Sequence, residues 1–250
     1  MKLTFICISS AVVGFALGST AFGGEYDKAP IVDPVCAVPF YGSVSVGYDS
    51  SYLFRGGRYG DHAPWAGVDL NFDVSDNLTW NMGTWYINPT DGPFVVNDEL
   101  DIYSYAYFSL FGLDAAVGGT WFYFPEDGGD AGEVNMALTK SIGNLFDFTF
   151  DYVYDITFEG HYFGYYLDKT VPLGNCLDLN LGTGISHAND NYNFDVLAGD
   201  HIYVQAGLTF HLTESADFST YILGNFPYSD LEDAGEEDDV YGGASISVSF

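Results

Sequence analysis

The last seven residues, Ala244-Ser245-Ile246-Ser247-Val248-Ser249-Phe250, decide the fold. Apolar side chains alternate with serine throughout this stretch, and a period of two is typical of a β-strand with one apolar and one polar face. The same alternation recurs upstream, for example over residues 44–54, 146–154 and 202–212. About twelve such segments fit between residues 41 and 250, so the sequence predicts an all-β fold.

Short and long connections alternate between these segments. The short ones are rich in turn-forming residues and lie at 75–77, 112, 143–144, 172–175 and 213–217. The long ones lie at 55–62, 88–98, 125–132, 155–159, 187–198 and 227–239. Outer-membrane barrels have short periplasmic turns and longer outer loops. The pattern therefore predicts a closed, up-and-down antiparallel transmembrane β-barrel of about 12 strands in the bacterial outer membrane.

Aromatic residues on the apolar faces are concentrated at the strand ends. Those beside long connections are Tyr52, Phe54, Tyr86, Tyr152, Tyr154 and Phe226. Those beside short turns are Phe72, Trp80, Phe146, Phe210, Phe218 and Phe250. Two aromatic girdles around an aliphatic band predict a surface that contacts outer-membrane lipid and lipopolysaccharide. The terminal Phe250 also resembles the signal that the outer-membrane assembly machinery recognises.

The first 23 residues have the organisation of a secretory signal peptide. Lys2 precedes an apolar run over 3–17, and small residues follow it. The run is too short to span a membrane as a helix, and we expect cleavage after Ala21 or Gly23. The predicted organisation is a signal peptide at 1–23, a periplasmic segment at 24–40 and a barrel at 41–250.

The 250-residue chain is strongly acidic, with 35 Asp and Glu against 6 Lys and Arg and a net charge of −29. Nucleic-acid binding is excluded, because nothing here neutralises a phosphate backbone. Aromatic residues make up 18% of the chain, which excludes an intrinsically disordered protein.

Residues 46–56, Val46-Gly47-Tyr48-Asp49-Ser50-Ser51-Tyr52-Leu53-Phe54-Arg55-Gly56, resemble the S-D-Y-x-F-R-G opening of the TorF-type porin family. A G-x-W strand follows in that family, and Gly83-Thr84-Trp85-Tyr86-Ile87-Asn88 takes its place here. The chain departs from the pattern at Ser50-Ser51, where the family has an acid near the tyrosine. The resemblance covers about residues 41–90 and implies an outer-membrane barrel that acts as a porin.

If the apolar face contacts lipid, the polar face lines the lumen. Barrels of roughly eight strands are filled by side chains and those of roughly 16–18 leave an open pore, so an intermediate number predicts a narrow channel. The candidate pore-lining residues are Asp49, Arg55, Asp69, Asp101, Tyr103, Tyr105, Asp147 and Asp151. Carboxylates in a narrow passage attract cations and repel anions. We therefore expect passive diffusion of cations or small polar solutes such as sugars.

Arg55 is a basic residue that the alternation places inside the predicted lumen, near its outer mouth. We expect it to be attracted to Asp49 on the same face and to acids across the lumen, and to help set the constriction. The alternative is an arginine in a loop without a role in the pore.

Cys36 and Cys176 remain after signal removal, and both are predicted on the periplasmic side. An exported protein can form disulfides, and a Cys36–Cys176 bond would tie the N-terminal segment across the barrel mouth. Two free thiols on opposite rims are the alternative, because the first and ninth strands are not neighbours.

The sequence predicts no catalytic residues, no cofactor and no metal site. In Asp200-His201 an acid and a histidine are adjacent, but neighbours in a strand point to opposite faces. Two alternatives to a channel stay open: an outer-membrane barrel enzyme such as a hydrolase, and a structural or adhesion barrel with a closed lumen.

Overall fold

The structure is a computed structural model that describes residues 40–92, 98–126, 128–189 and 199–250. Twelve antiparallel strands pair in sequence order, and β1 pairs with β12 to close the barrel. They are β1 (Phe40–Phe54), β2 (Gly57–Ser75), β3 (Leu78–Ile87), β4 (Glu99–Leu110), β5 (Leu113–Phe124), β6 (Gly129–Ile142), β7 (Phe146–Asp155), β8 (Gly160–Pro172), β9 (Leu177–Ala188), β10 (His201–His211), β11 (Ala216–Pro227) and β12 (Asp239–Ser249). The predicted closed barrel of about twelve strands is confirmed.

A four-residue helix, Asp230–Asp233, lies between β11 and β12. Within the described ranges, no helix has the length and apolar character needed to cross a membrane. The predicted signal peptide at 1–23 lies outside the described residues, as does the N-terminal segment at 24–40 except for Phe40, which already belongs to β1. Both stay predictions.

Alternate residues of each strand point outward. Many of these outward residues are apolar, so the outer surface of the barrel is apolar. Val46, Ile102 and Val204 are about half exposed on this surface. Aromatic side chains are exposed near both rims: Tyr86, Trp121, Tyr123 and Phe226 on one side and Trp80, Phe210 and Phe250 on the other. A closed barrel with this surface belongs in the bacterial outer membrane, since closure leaves no unpaired sheet edge in lipid.

The prediction that Tyr52 and Phe54 face lipid is wrong. Tyr52 pairs with Gly60, but Leu53 pairs with Arg58, so the strand register shifts between Tyr52 and Leu53. Such a bulge adds a residue to one strand and bends the hairpin. On both sides of the bulge, Tyr52, Leu53 and Phe54 are all buried inside the barrel.

The prediction of a long connection at 55–62 is also wrong. Arg55 and Gly56 form a two-residue turn with φ angles of 49° and 87°, as in a type I′ hairpin, and residues 57–62 continue β2. The connection after β5 is short too, because β6 begins at Gly129 rather than near residue 133. The long connections at this end, called the loop end, are 88–98, 189–200 and 228–238. The other end, called the turn end, has five short turns in the predicted places.

Candidate functional site

The tip of the β1–β2 hairpin folds into the lumen at the loop end, and residues 52–56 are called the plug. Leu53 packs in one cluster with Leu223 of β11. Phe54 meets Phe122 of β5 edge to face, with ring centroids 5.7 Å apart. Because β5 and β11 lie on opposite sides of the barrel, the plug extends across the lumen.

Arg55, at the tip of the plug, forms an ion pair with Glu133 on β6. Its guanidinium donates two hydrogen bonds to the Glu133 carboxylate, Nη1–Oε1 at 2.5 Å and Nη2–Oε2 at 2.8 Å. The guanidinium carbon also lies 4.7 Å from the ring centroids of Phe54 and Tyr162. Burial alone would lower the pKa of Arg55, but the charge and hydrogen bonds of Glu133 raise it above its ordinary value. The buried arginine therefore stays charged.

The backbone of the plug is also bound to the 189–200 connection and to β11. The Gly199 amide donates to the Arg55 carbonyl at 2.8 Å, and the Asn225 side-chain amide donates to the Gly56 carbonyl at 3.0 Å. A Cβ atom added to Gly56 would lie 2.6 Å from the ring of His201. Glycine is therefore required at this position both by the positive φ and by the close approach to β10.

Acidic side chains surround the plug. Five buried carboxyl groups lie at this level of the barrel: Glu99, Asp101, Glu133, Asp151 and Asp155. Tyr52 donates to Glu99 at 2.9 Å. Within the described part of the chain, Asp101 Oδ1 and Asp151 Oδ1 accept no hydrogen bond, and Arg55 is the only buried lysine or arginine. Acidic groups therefore outnumber basic ones at this level.

Tyrosines bonded to carboxylates occupy the middle of the lumen. Tyr103 donates to Asp69 at 2.8 Å, and Tyr221 donates to Asp49 at 2.7 Å. Wall glycines make room for such rings, because a Cβ on Gly83 would lie 2.4 Å from the Tyr103 hydroxyl. Tyr105 lies against Gly118 in the same way and is bonded to Thr120 and Asn135.

The lumen at the turn end is also acidic. Asp147 and Asp168 are cross-strand neighbours on β7 and β8, and both are half-buried. His211 lies between two carboxylates, with Nδ1 2.8 Å from Asp217 and Nε2 3.1 Å from Asp178. Carboxylates thus occur at the plug, in the middle and at the turn end.

The structure places the eight pore-lining candidates inside the barrel, seven on the inner strand faces and Arg55 in the plug. Arg55 does not pair with Asp49, which the sequence offered as one partner, because the plug carries the guanidinium across the lumen to Glu133. The sequence-based prediction missed Glu133, since it followed a range assigned to a long connection. Glu133 and Asn135 are polar residues two positions apart, and this spacing was the available signal that Glu133 lies on the inner face of the strand.

Side chains of the kind used in hydrolysis are present but buried. Ser186 Oγ lies 2.7 Å from His201 Nδ1, and the Ser186 hydroxyl donates to the Gly199 carbonyl. Asp200 points the other way, to His187 at 2.6 Å. Ser186 and His201 are almost fully buried, so a substrate cannot reach this pair in the structure.

Cys176 is exposed in the turn between β8 and β9. Cys36 lies outside the described residues, so the disulfide stays a prediction. In the ranges that the structure describes, no three histidine, cysteine or acidic side chains are arranged to hold a metal ion.

No protein-family profile and no curated protein matches the sequence. Solved structures do match the fold. The NanC porin superposes with a TM-score of 0.52 at 14% identity, covering 84% of this chain and 98% of that chain. An outer membrane channel from Pseudomonas putida F1 gives 0.52 at 11%, covering 88% and 100%, and the KdgM porin gives 0.53 at 5%, covering 83% and 99%.

The chain shares the fold of these outer-membrane porins. At identities this low, the likeness shows a common fold and no more. The assignment to the TorF-type family within that fold stays a prediction.

Proposed function

We propose that the protein is an outer-membrane channel for small polar solutes, narrow and cation-preferring. The observation that carries this proposal is the charge of the lumen. Carboxylates lie at each of its three levels, and the only buried lysine or arginine in the described chain is Arg55, while Arg58 pairs with Asp61 and Asp239 at the loop end. Such a lining raises the local concentration of cations and repels anions.

The lining also suits small polar solutes. Tyrosine hydroxyls and carboxylates such as Tyr103 and Asp69 offer hydrogen bonds to hydroxylated molecules. One of the similar porins has been solved in complex with disordered oligogalacturonate, an anionic sugar polymer. An acidic lumen disfavours ligands of that charge, so we propose neutral or cationic solutes here.

The plug supports a narrow pore. The plug lies in the loop end of the lumen. Its ion pair to Glu133 and its backbone bonds to Gly199 and Asn225 hold it there. Passage from the loop end to the turn end therefore depends on the space beside the plug or on its displacement.

The test is electrical. Refolded protein is inserted in a planar bilayer, and single-channel conductance and the reversal potential in a KCl gradient are measured. We expect a small conductance and a reversal potential of cation-selective sign. An anion-selective reversal potential contradicts the proposed charge selectivity.

The packing of the plug also favours a second candidate, a structural or adhesion barrel with a closed lumen. Tyr52, Phe54 and Ile87 belong to one buried cluster at the loop end. A folded barrel that conducts no ions in the bilayer supports this candidate over the channel.

A further inference from the structure

Both lysines of the described chain lie on the outer wall at the turn end. Lys140 is near the end of β6 and Lys169 near the end of β8. The residue before Lys140, Thr139, is buried inside the barrel and bonded to Thr149, so alternation points Lys140 outward. Lys169 follows Asp168, which faces the lumen, and points outward for the same reason.

Neither lysine forms an ion pair with a described residue. Lys140 Nζ donates to the Gly112 carbonyl at 2.6 Å, and Lys169 Nζ donates to the Asn144 carbonyl. Both acceptors lie in short turns, so both ammonium groups reach the edge of the apolar surface. In a chain with 35 acidic residues, two ammonium groups without a carboxylate partner are available to an external anion.

The two lysines are close enough to share one ligand. Lys140 is opposite Phe148 on β7, and Asp168, next to Lys169, is opposite Asp147 on the same strand. Strands β6 and β8 are thus separated by two interstrand spacings, and Lys169 lies two residues nearer the turn end than Lys140, so the two Cα atoms are about 12 Å apart. Lys140 Nζ is bonded to Gly112 on the side of β6 away from β8, and its flexible stem lets it turn toward Lys169, so that both ammonium groups can approach one headgroup.

The surface between the lysines suits acyl chains. Phe148 and Leu167 form a cross-strand pair there and are exposed on the outer wall, and Leu145 is exposed at the adjoining turn. In outer-membrane barrels the short turns face the periplasm, which places this surface in the periplasmic leaflet.

We propose that Lys140 and Lys169 bind the phosphate of an anionic phospholipid in the periplasmic leaflet, with its acyl chains against Phe148 and Leu167. The site is restricted to this part of the rim, because no other described lysine or arginine lies at the turn end. The other two described bases that are always charged, Arg55 and Arg58, lie at the loop end. The site is independent of any transport through the lumen.

The experiment is native mass spectrometry of the full-length refolded barrel in detergent, titrated with phosphatidylglycerol or with phosphatidylcholine. We expect wild-type protein to retain phosphatidylglycerol in preference to phosphatidylcholine. A lysine near an anionic membrane surface contributes about 1 kcal/mol, which is about fivefold in affinity. Lys140→Gln and Lys169→Gln should therefore each lower phosphatidylglycerol binding about fivefold, and the double variant should lose the preference between the two lipids.

Two controls complete the test. Arg58→Gln, at the opposite end, should leave lipid binding unchanged, and Lys140→Arg/Lys169→Arg, which keeps both charges, should retain the preference. Heat-modifiable gel migration shows that each variant is folded. Equal retention of both lipids by the wild type, or an undiminished preference in the folded double glutamine variant, overturns the proposal.

Discussion

Arg55 and Glu133 are 78 positions apart in the sequence and form a two-bond ion pair across the barrel. Arg55 lies at the tip of a hairpin that is covalently part of the wall, whereas Glu133 belongs to β6 on the far side. The pair therefore fixes the position of the plug, and the position of the plug determines how much of the lumen is open at the loop end.

Breaking this pair should destabilise the barrel and open it. Removing one partner of a buried ion pair leaves an uncompensated charge and costs about 3–5 kcal/mol. Arg55→Ala should therefore lower the urea concentration at which the refolded protein unfolds, and it should raise single-channel conductance, because the plug loses its anchor on β6. If the channel conducts but Arg55→Ala leaves conductance and selectivity unchanged, Arg55 does not set the constriction.

Arg58 provides a matched control. It pairs with Asp61 at 2.5 Å, but the two side chains are 34% and 19% exposed. Exposed pairs contribute about 0–1 kcal/mol, so Arg58→Ala should leave the unfolding midpoint and the conductance near wild-type values. An effect as large as that of Arg55→Ala would show that the loss of any arginine at the loop end is sufficient to lower the unfolding midpoint and raise the conductance.

Gly56→Ala tests whether close packing of the plug matters apart from charge. Gly56 has a φ of 87° and little space beside His201, whereas Gly235 has a φ of 97° with nothing within 4 Å of an added Cβ. Both substitutions carry the strain of positive φ, about 1–2 kcal/mol, but only Gly56→Ala adds the clash. We expect Gly56→Ala to lower the unfolding midpoint more than Gly235→Ala. Equal shifts would show that backbone strain accounts for the whole effect.

The alternation of polar and apolar residues was enough to predict the barrel, because a period of two is a local property of each strand. The facing of Tyr52 and Phe54 was mispredicted because a bulge between Tyr52 and Leu53 changes it, and no sequence signature marked that bulge. The two-residue turn has a visible signal in Arg55-Gly56-Gly57, but the sequence-based prediction places the residues after it in a loop, whereas they continue β2.

The partner of Arg55 shows where sequence reasoning ends. Alternation places a residue on the inner face but does not state which inner residue lies opposite, because that depends on strand number, stagger and the inward bend of the hairpin. The sequence alone therefore admits Glu133, Asp101 and Asp151 equally as partners of Arg55, and the structure selects Glu133, with 2.5 Å between Nη1 and Oε1.

The predicted Cys36–Cys176 disulfide can be tested chemically. Cys176 is exposed at the turn end and therefore accessible to a partner on the N-terminal segment. We expect mass spectrometry of non-reduced peptides from freshly prepared protein to find the two cysteines in one linked species. Separate alkylation of both thiols without reduction contradicts the bond and leaves the barrel unaffected.

Cation preference should depend on the carboxylates of the turn end. Asp147 and Asp168 are neighbours on β7 and β8, and replacing both with asparagine removes two negative charges while nearly preserving side-chain size. We expect Asp147→Asn/Asp168→Asn to shift the reversal potential toward zero, whereas Asp76→Asn, on an exposed turn, should not. Salt screens charges over about 10 Å at 0.1 M and about 3 Å at 1 M, so the difference between wild type and the double variant should shrink at high salt. If the difference in reversal potential persists at 1 M, the two carboxylates act through direct contact with the permeating ion. If wild type and double variant do not differ even at 0.1 M, selectivity is set elsewhere in the lumen.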